Sequence, residues 1–361
     1  MLVEREVRSA PDEVALRHLS QAGKDSFLDE TQMRALVRDL HRVNPRIYWA
    51  DLLLSAGLGW AAFAVAVSLR PFSAAMLGMT ALAAVLLYRA VCFMHEISHQ
   101  NRRTLPAFEP VWNLLAGYPL LMPSFMYVGV HNDHHKLTTY GTPEDPEYLP
   151  FARSSRMTVL FAIESLLIPA FLLLRFLVLS PVGLVFPKFQ KWLVVHASSL
   201  TMNLRYQRNA TANLVATVRR NSAGILLMWA TAITLAVRGV IPWRVFAVWF
   251  AVCAIASFIN TLRTLGSHAY ESTGEPMDRT GQLMDSIDTP GRFWTELWAP
   301  VGLRYHAVHH YFPGISYHHL PEAYRRFVST LPISTTYRQM SSPSLQHSLR
   351  SLYRKGLHFG K

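Results

Sequence analysis

The segment FSAAMLGMTALAAVLLYRAVCFMHEISHQ, residues 72–100, joins a long apolar run to two histidines, and this combination decides the fold. At a rise of 1.5 Å per residue, about 22 apolar residues form a helix of roughly 33 Å, which crosses a hydrocarbon core of about 30 Å. The run from Phe72 to Met94 therefore predicts a membrane-spanning helix. Its ending, HEISH, has the H-E-x-x-H spacing in which two histidines bind zinc and the glutamate acts as a general base. A membrane zinc metalloprotease is thus one hypothesis.

Three further stretches are long and apolar enough to cross a bilayer, namely residues 48–69, 222–241 and 243–265. Four prolines interrupt the apolar stretch 106–130, which predicts a bent or re-entrant segment. We therefore expect an all-α membrane protein with about four transmembrane helices in two hairpins, accompanied by re-entrant or interfacial helices. A hydrophobic fraction of 51% agrees with this class.

A fifth apolar stretch, residues 157–186, contains Glu164, Arg175 and two prolines. A charge at mid-bilayer costs about 2.5–3.5 kcal/mol, so we expect this stretch to lie in the membrane plane or to re-enter on the side where it started. The number of crossings between His135 and His306 then stays even, so the histidine-rich stretches that end and begin at these residues remain on one side.

The net charge of +12 is distributed as in a membrane protein, which argues against a nucleic-acid-binding role. Arginine and lysine are concentrated in the long polar segments, whereas the short links within the helix hairpins carry only Arg70, Arg238 and Arg244. This asymmetry predicts that both termini and the active site are cytoplasmic, in the inner membrane if the source is bacterial. We divide the chain into a polar N-terminal segment (1–47), a membrane domain (48–330) with a cytoplasmic helical cap, and a basic tail (331–361).

Histidine is the residue type that points to function, because 16 histidines include two compact boxes besides HEISH. HNDHH starts at residue 131 and HAVHH at residue 306. On a helix, positions i, i+3 and i+4 share one face, so each box can direct its imidazoles at one point. Eight imidazoles exceed what one tetrahedral zinc takes and suit two metals. Imidazole binds zinc, copper, iron and nickel, and the membrane setting with this ligand number favours iron.

The three boxes resemble those of the integral-membrane fatty acid desaturase and hydroxylase superfamily. RYHAVHHYFPGISYHHLPEAYRR, residues 304–326, is similar to the pattern H-x-x-H-H-x-F-P-x-I-x-x-Y-x-L-x-x-A. HNDHHKLTTYGTPEDPEYLP, residues 131–150, resembles H-x-x-H-H-x-x-T with a downstream D-P. The resemblance covers roughly residues 48–330.

The resemblance implies a di-iron centre that uses O₂ as co-substrate. It also implies that no residue beyond the metal centre acts as an acid or nucleophile. His268, which follows the last apolar stretch, corresponds to an additional ligand in related desaturases. The implied iron ligands are His95, His99, His131, His134, His135, His268, His306, His309 and His310.

Acidic residues beside the boxes, Glu96, Asp133, Glu144 and Asp145, are candidates to hydrogen-bond ligand imidazoles. For His318 and His319 we expect a structural or substrate-channel role.

The expected reaction is insertion of a double bond into the acyl chain of a membrane lipid. The same centre could instead hydroxylate or ketolate a lipid, an alkane or a carotenoid. The zinc protease leaves six box histidines unexplained, and a non-catalytic metal-binding membrane protein is a further alternative. No H-P-G-G stretch of a fused cytochrome is present, so electrons are expected from a separate ferredoxin, cytochrome or flavoprotein reductase.

Overall fold

The computed structural model describes residues 30–332 and 335–359, which are mostly helical and contain no β-strand. Two long helical hairpins form the centre of the molecule, in agreement with the expected class. The helices, in chain order, are α1 (Glu30–Val37), α2 (Pro45–Ser68), α3 (Ala74–His99), α4 (Phe108–Trp112), α5 (Val130–His134), α6 (Ser155–Val185), α7 (Pro187–His196), α8 (Ala212–Val237), α9 (Arg244–Leu265), α10 (Arg279–Asp285), α11 (His306–Tyr311), α12 (Leu320–Thr330), α13 (Thr336–Gln339) and α14 (Leu345–His358).

Local sequence explains where the first hairpin begins and turns. The side chain of Asn44 accepts a hydrogen bond from the Arg46 amide (3.1 Å), and Pro45 occupies the first helical position of α2. Ser73 caps α3 by accepting from the Met76 amide (3.2 Å). Small residues let α2 and α3 pack closely, since a Cβ added to Gly59 would lie 2.8 Å from the Leu87 side chain.

Five helices, α2, α3, α6, α8 and α9, are long and apolar enough to cross a bilayer. Large apolar side chains on these helices point outwards, including Leu54 (62% exposed) and Leu227 (73% exposed). Such surfaces are stable against lipid and would be costly in water. The chain is therefore an integral membrane protein.

The proline-rich segment predicted to be re-entrant lies among the long helices. Tryptophan side chains donate hydrogen bonds to its backbone carbonyls. The indole N–H of Trp60 on α2 donates to the Leu115 carbonyl (2.8 Å). Trp229 on α8 donates to the Tyr118 carbonyl (3.2 Å) and Trp249 on α9 to the Pro119 carbonyl (2.8 Å). Irregular backbone at membrane depth is tolerated only where protein groups pair its polar atoms. Tryptophans from three helices supply that pairing here.

Replacing Trp249 with phenylalanine should lower the thermal stability of the purified protein. The substitution keeps most of the apolar contact but leaves the Pro119 carbonyl without its donor, a loss of about 1–3 kcal/mol. Thermal unfolding in lipid nanodiscs measures the effect. Trp243→Phe is the matched control, because Trp243 is 58% exposed; an equal loss in both variants would show that the hydrogen bond is not responsible.

The helix α6 corresponds to the fifth apolar stretch, and both of its flanks contact the histidine-bearing segments. Before α6, the Arg153 guanidinium donates to the carbonyl of Ser272, four residues after His268 (3.0 Å). After α6, the Leu200 amide donates to the carbonyl of Met126, which shortly precedes α5 (2.8 Å). A 3₁₀ turn at Ser165–Leu167 and a π-helical turn at Leu174–Leu179 interrupt the helix between these flanks. Length and composition alone would let α6 cross a bilayer, and its in-plane or re-entrant placement stays a prediction.

Single cysteines placed at Arg156 and Lys188, in a background lacking Cys92 and Cys253, should react from the same side of the membrane. Both positions are exposed; Arg156 lies in the first turn of α6, and Lys188 lies on α7 just after its end. A cysteine at Val240, in the turn between α8 and α9, should react from the opposite side. Labelling with a membrane-impermeant maleimide in oriented vesicles measures the side, and opposite labelling of positions 156 and 188 would contradict the even number of crossings.

Candidate metal centre

Nine histidines from four segments meet at one end of the helical hairpins. His95 and His99 lie one turn apart at the end of α3, and α5 and the residue after it provide the second box. The third box lies on α11, and His268 follows α9. Two isolated bridges, between His268 and Ser286 and between Asp288 and Tyr305, place the short stretch 286–288 beside both of the last two segments. The structure thus brings together all nine histidines singled out in the sequence.

The first group of imidazoles combines all three boxes. The ring nitrogens of His95, His99, His131 and His309 lie within 4.8 Å of one another. The Nε2 atom of His135 joins them, at 3.0 Å from Nε2 of His131 and 3.2 Å from Nε2 of His309. The first group therefore contains five imidazoles.

The second group lies next to the first and contains the remaining four histidines. Ring nitrogens of His134, His268 and His310 lie within 4.8 Å of one another. The Nε2 atom of His306 is 2.8 Å from Nε2 of His268 and 3.1 Å from Nε2 of His310. The rings of His135 and His310 stack with centroids 4.2 Å apart, so the two groups are in direct contact.

Carboxylates contact two of the imidazoles at Nδ1 and so orient them. The Nδ1 atom of His131 is 2.9 Å from Glu147, and that of His134 is 2.8 Å from Asp145. A carboxylate that accepts a hydrogen bond from Nδ1–H fixes the ring proton there, which leaves the Nε2 lone pair directed at the group centre. Asp145 also accepts from the amides of Gly141 and Glu147 (2.8 Å each), so the loop after α5 is folded around this carboxylate.

His268 is oriented through a tyrosine. The Tyr140 hydroxyl lies 2.9 Å from Nδ1 of His268 and donates to Asp285 at 2.9 Å. Tyr148 donates to the other oxygen of Asp285 (3.0 Å), so this carboxylate is fully enclosed. Burial raises the pKa of Asp285 and of Glu147 to about 7. A nearby cation would keep both carboxylates ionised.

The chemistry of these residues fits metal ions. Burial lowers the pKa of His131, His135, His268, His306, His309 and His310 well below the ordinary value, so these rings are neutral and offer lone pairs. Burial also acts on His134, but the Asp145 carboxylate outweighs it and raises the pKa of that ring. Both ring nitrogens of His95 and Nε2 of His99 are buried and have no hydrogen-bond partner among the residues that the structure describes. Converging nitrogens of this kind are the donor set that a divalent transition metal takes.

Glu96 does not have the position that a protease mechanism needs. Its carboxylate accepts a hydrogen bond from the Tyr48 hydroxyl and another from the Tyr317 amide (3.1 Å). The Tyr317 hydroxyl in turn donates to Asp51 on α2 (2.9 Å). Glu96 therefore ties the segment after the third box to α2 and α3.

The other candidate acidic residues differ in whether their carboxylates contact a histidine of the two groups. Asp145 contacts His134, whereas Asp133 pairs with Lys136 and accepts from Tyr206, both at 2.5 Å. No hydrogen bond joins the Glu144 carboxylate to a histidine within the described residues. Sequence reasoning missed Glu147 and Asp285. The first is the glutamate directly after the D-P pair, and the second had no sequence signal.

His318 and His319 lie outside both groups. The Nε2 atom of His318 accepts from the Asn44 amide (3.3 Å), and its ring packs edge-on against Tyr48 (centroids 5.8 Å apart). These contacts agree with the structural role expected for His318.

His268→Ala should lower the iron content of the purified protein. The variant removes one of four imidazoles from the second group while the first group stays intact. Metal analysis after reconstitution with ferrous iron measures the change. An unchanged iron content would remove His268 from the ligand set.

Comparison with known proteins supports the same class. The fatty acid desaturase family profile matches residues 71–341. A ceramide hydroxylase of Caulobacter vibrioides (strain NA1000 / CB15N) is 37% identical over 327 residues, which covers 90% of this chain and 93% of that protein. The chain, with its membrane helices and its two groups of histidines, therefore belongs to the fatty acid desaturase family.

Proposed function

We propose that the protein is an O₂-dependent hydroxylase of ceramide or a closely related membrane lipid. The observation that carries the proposal is the 37% identity to a ceramide hydroxylase over nearly the whole length of both chains. Hydroxylation was the alternative in the sequence interpretation, which favoured desaturation. The comparison reverses that preference.

The proposed reaction converts a C–H bond of the lipid into a C–O–H group. One atom of O₂ enters the product and the other leaves as water, which requires two electrons and two protons from outside the lipid. Two iron ions, when bound, supply the O₂ activation that protein side chains cannot provide. His95, His99, His131, His135 and His309 would hold one iron, and His134, His268, His306 and His310 the other.

The protein's own contribution is to fix the ligands and to exclude water. His131, His134 and His309 are each about 1% exposed, so bulk solvent does not reach these rings. Glu147, Asp145 and Asp285 orient three imidazoles directly or through Tyr140. A dry, fixed site limits side reactions and holds one segment of the lipid chain near the metals.

Desaturation is the second candidate, because the segment FPGISYHHL, residues 312–320, is similar to the desaturase pattern. Both reactions begin by breaking a C–H bond of the lipid, and they differ in the second step. Hydroxylation adds oxygen to the lipid, whereas desaturation removes a second hydrogen.

Product analysis with isotopic oxygen tests the proposal. The iron-loaded protein in nanodiscs containing ceramide is reduced with dithionite under anaerobic conditions, separated from excess dithionite and then exposed to ¹⁸O₂, and the lipids are analysed by mass spectrometry. We expect a hydroxylated ceramide that carries one ¹⁸O atom. Loss of two hydrogens without oxygen would favour desaturation, and an unchanged ceramide pool would contradict both reactions on this lipid.

Two further properties belong to this proposal. We propose that the histidine end and both termini face the cytoplasm, as the distribution of arginine and lysine indicates. We also propose that a separate redox protein delivers the electrons.

A further inference from the structure

The proposed reaction consumes two electrons, and the described residues offer no thiol pair that could supply them. Cys92 on α3 and Cys253 on α9 are both buried and unpaired. The inference that follows rests on the proposed function. If that function is correct, a redox partner must approach the protein surface near the histidines.

A cleft of about 960 Å³ opens between α14 and the loop that follows His268. One face of α14 lines it, through residues spaced three or four apart, as expected for one side of a helix. The loop contributes residues 270, 271 and 273, and residues 152, 153 and 359 complete the walls. The residues from α14 are His347, Arg350, Ser351, Arg354, Lys355 and His358.

The cleft carries more positive charge than its own acidic residue can neutralise. Lys355 pairs with Glu271 at 2.7 Å. Arg350 and Arg354 are exposed, and neither forms an ion pair within the part of the chain that the structure describes. Arg153 adds a further cation from the opposite wall. Such a surface attracts an acidic protein and accelerates its association.

The loop that forms one wall leads directly to the candidate metal centre. The Ala269 amide donates to the Asp285 carbonyl (2.6 Å), and the Glu271 amide donates to the Asp285 side chain (3.2 Å). The Tyr270 ring lies 5.4 Å from the His268 ring between centroids. A redox group held against this loop is therefore separated from His268 by a single layer of packed residues.

We infer that this basic cleft is the docking surface for a small, acidic, one-electron carrier protein. Two such carriers, or one carrier in two visits, deliver the two electrons and are themselves oxidised. The position of the cleft beside the His268 loop favours a redox partner over anionic lipid. The exposed apolar residues of α14, Tyr353 and Leu357, do not line the cleft.

Binding of an acidic plant-type [2Fe–2S] ferredoxin tests the inference. Iron-loaded protein in nanodiscs of neutral phosphatidylcholine is immobilised, and ferredoxin binding is measured by interferometry at low and high salt. We expect Arg350→Glu with Arg354→Glu to weaken binding on the order of tenfold at low salt, and high salt to reduce the difference. Arg350→Lys with Arg354→Lys should bind like the unaltered protein.

The matched control is Lys188→Glu with Lys191→Glu, which changes the net charge equally at two exposed lysines on α7. Equal weakening in the control, or no ferredoxin binding by the unaltered protein, would overturn the inference. So would cleft-dependent binding to phosphatidylglycerol vesicles without cleft-dependent binding to ferredoxin.

A second readout separates the docking surface from the proposed function. The charge-reversed variant should keep its iron content and its dithionite-driven product formation, because no metal-binding histidine is altered. Loss of dithionite-driven product in this variant would overturn the inference, since the cleft would then affect the centre itself. Absence of product from the unaltered protein, with cleft-dependent ferredoxin binding intact, would contradict the hydroxylase proposal and leave the docking surface supported.

Discussion

Replacing His310 with alanine should reduce the iron content from about two ions per chain to about one, and product formation should fall at least about 100-fold. His310 belongs to the second histidine group, where its Nε2 atom lies 3.1 Å from that of His306. The variant leaves this group with three imidazoles, whereas all five of the first group remain. Metal analysis and lipid mass spectrometry measure the two effects on the same sample.

The reciprocal variant, His95→Ala, should leave the second group intact and remove iron from the first. His196→Ala is the control, because His196 is exposed and its ring packs against Trp192 (centroids 5.3 Å apart), away from both histidine groups. If His196→Ala lost as much iron as His310→Ala, the losses would reflect general instability. If His310→Ala kept two irons, the division of the ligands into these two groups would be wrong.

The second large effect is expected from Asp145→Asn, which should weaken iron binding about 10- to 100-fold. Asp145 is completely buried and holds Nδ1 of His134 at 2.8 Å. An amide is a weaker acceptor than a carboxylate, so the proton at Nδ1 and the direction of the Nε2 lone pair are less well fixed. Competition with a chromophoric iron chelator measures the affinity.

Asp133→Asn provides the comparison for that experiment. Asp133 lies next to a ligand histidine in sequence, but its side chain contacts Lys136 and Tyr206 instead. We expect an affinity close to that of the unaltered protein. Equal weakening in both variants would show that negative charge near the boxes, and not the contact to His134, controls iron binding.

The membrane fold was predictable because its signals are long and periodic. A span such as α3 needs more than 20 apolar residues, and this requirement is visible without any knowledge of packing. The re-entrant segment was also indicated, since four prolines cannot be accommodated in one straight helix. The hydrogen-bond partners of this segment could not be predicted, because the pairing of Trp229 and Trp249 with its carbonyls depends on how distant segments pack.

The histidines were identifiable because the spacing within each box is local to a single turn. Their division into two groups was not readable, since neighbours in sequence such as His134 and His135 belong to different groups. The carboxylates that orient these histidines were also predictable only where they lie close to a box in sequence. Asp145 was a candidate by its proximity in sequence, whereas Asp285 on α10 contacts His268 through Tyr140, which comes from a distant part of the chain.

The metal content of the unaltered protein tests the central claim most directly. The protein is purified from cells grown with iron, without added chelator, and its metals are counted against protein by mass spectrometry. The nine imidazoles predict about two metal ions per chain, and membership of the fatty acid desaturase family predicts that these are iron, with no stoichiometric zinc. A single zinc ion, or a protein that binds no transition metal after reconstitution, would contradict the di-iron account.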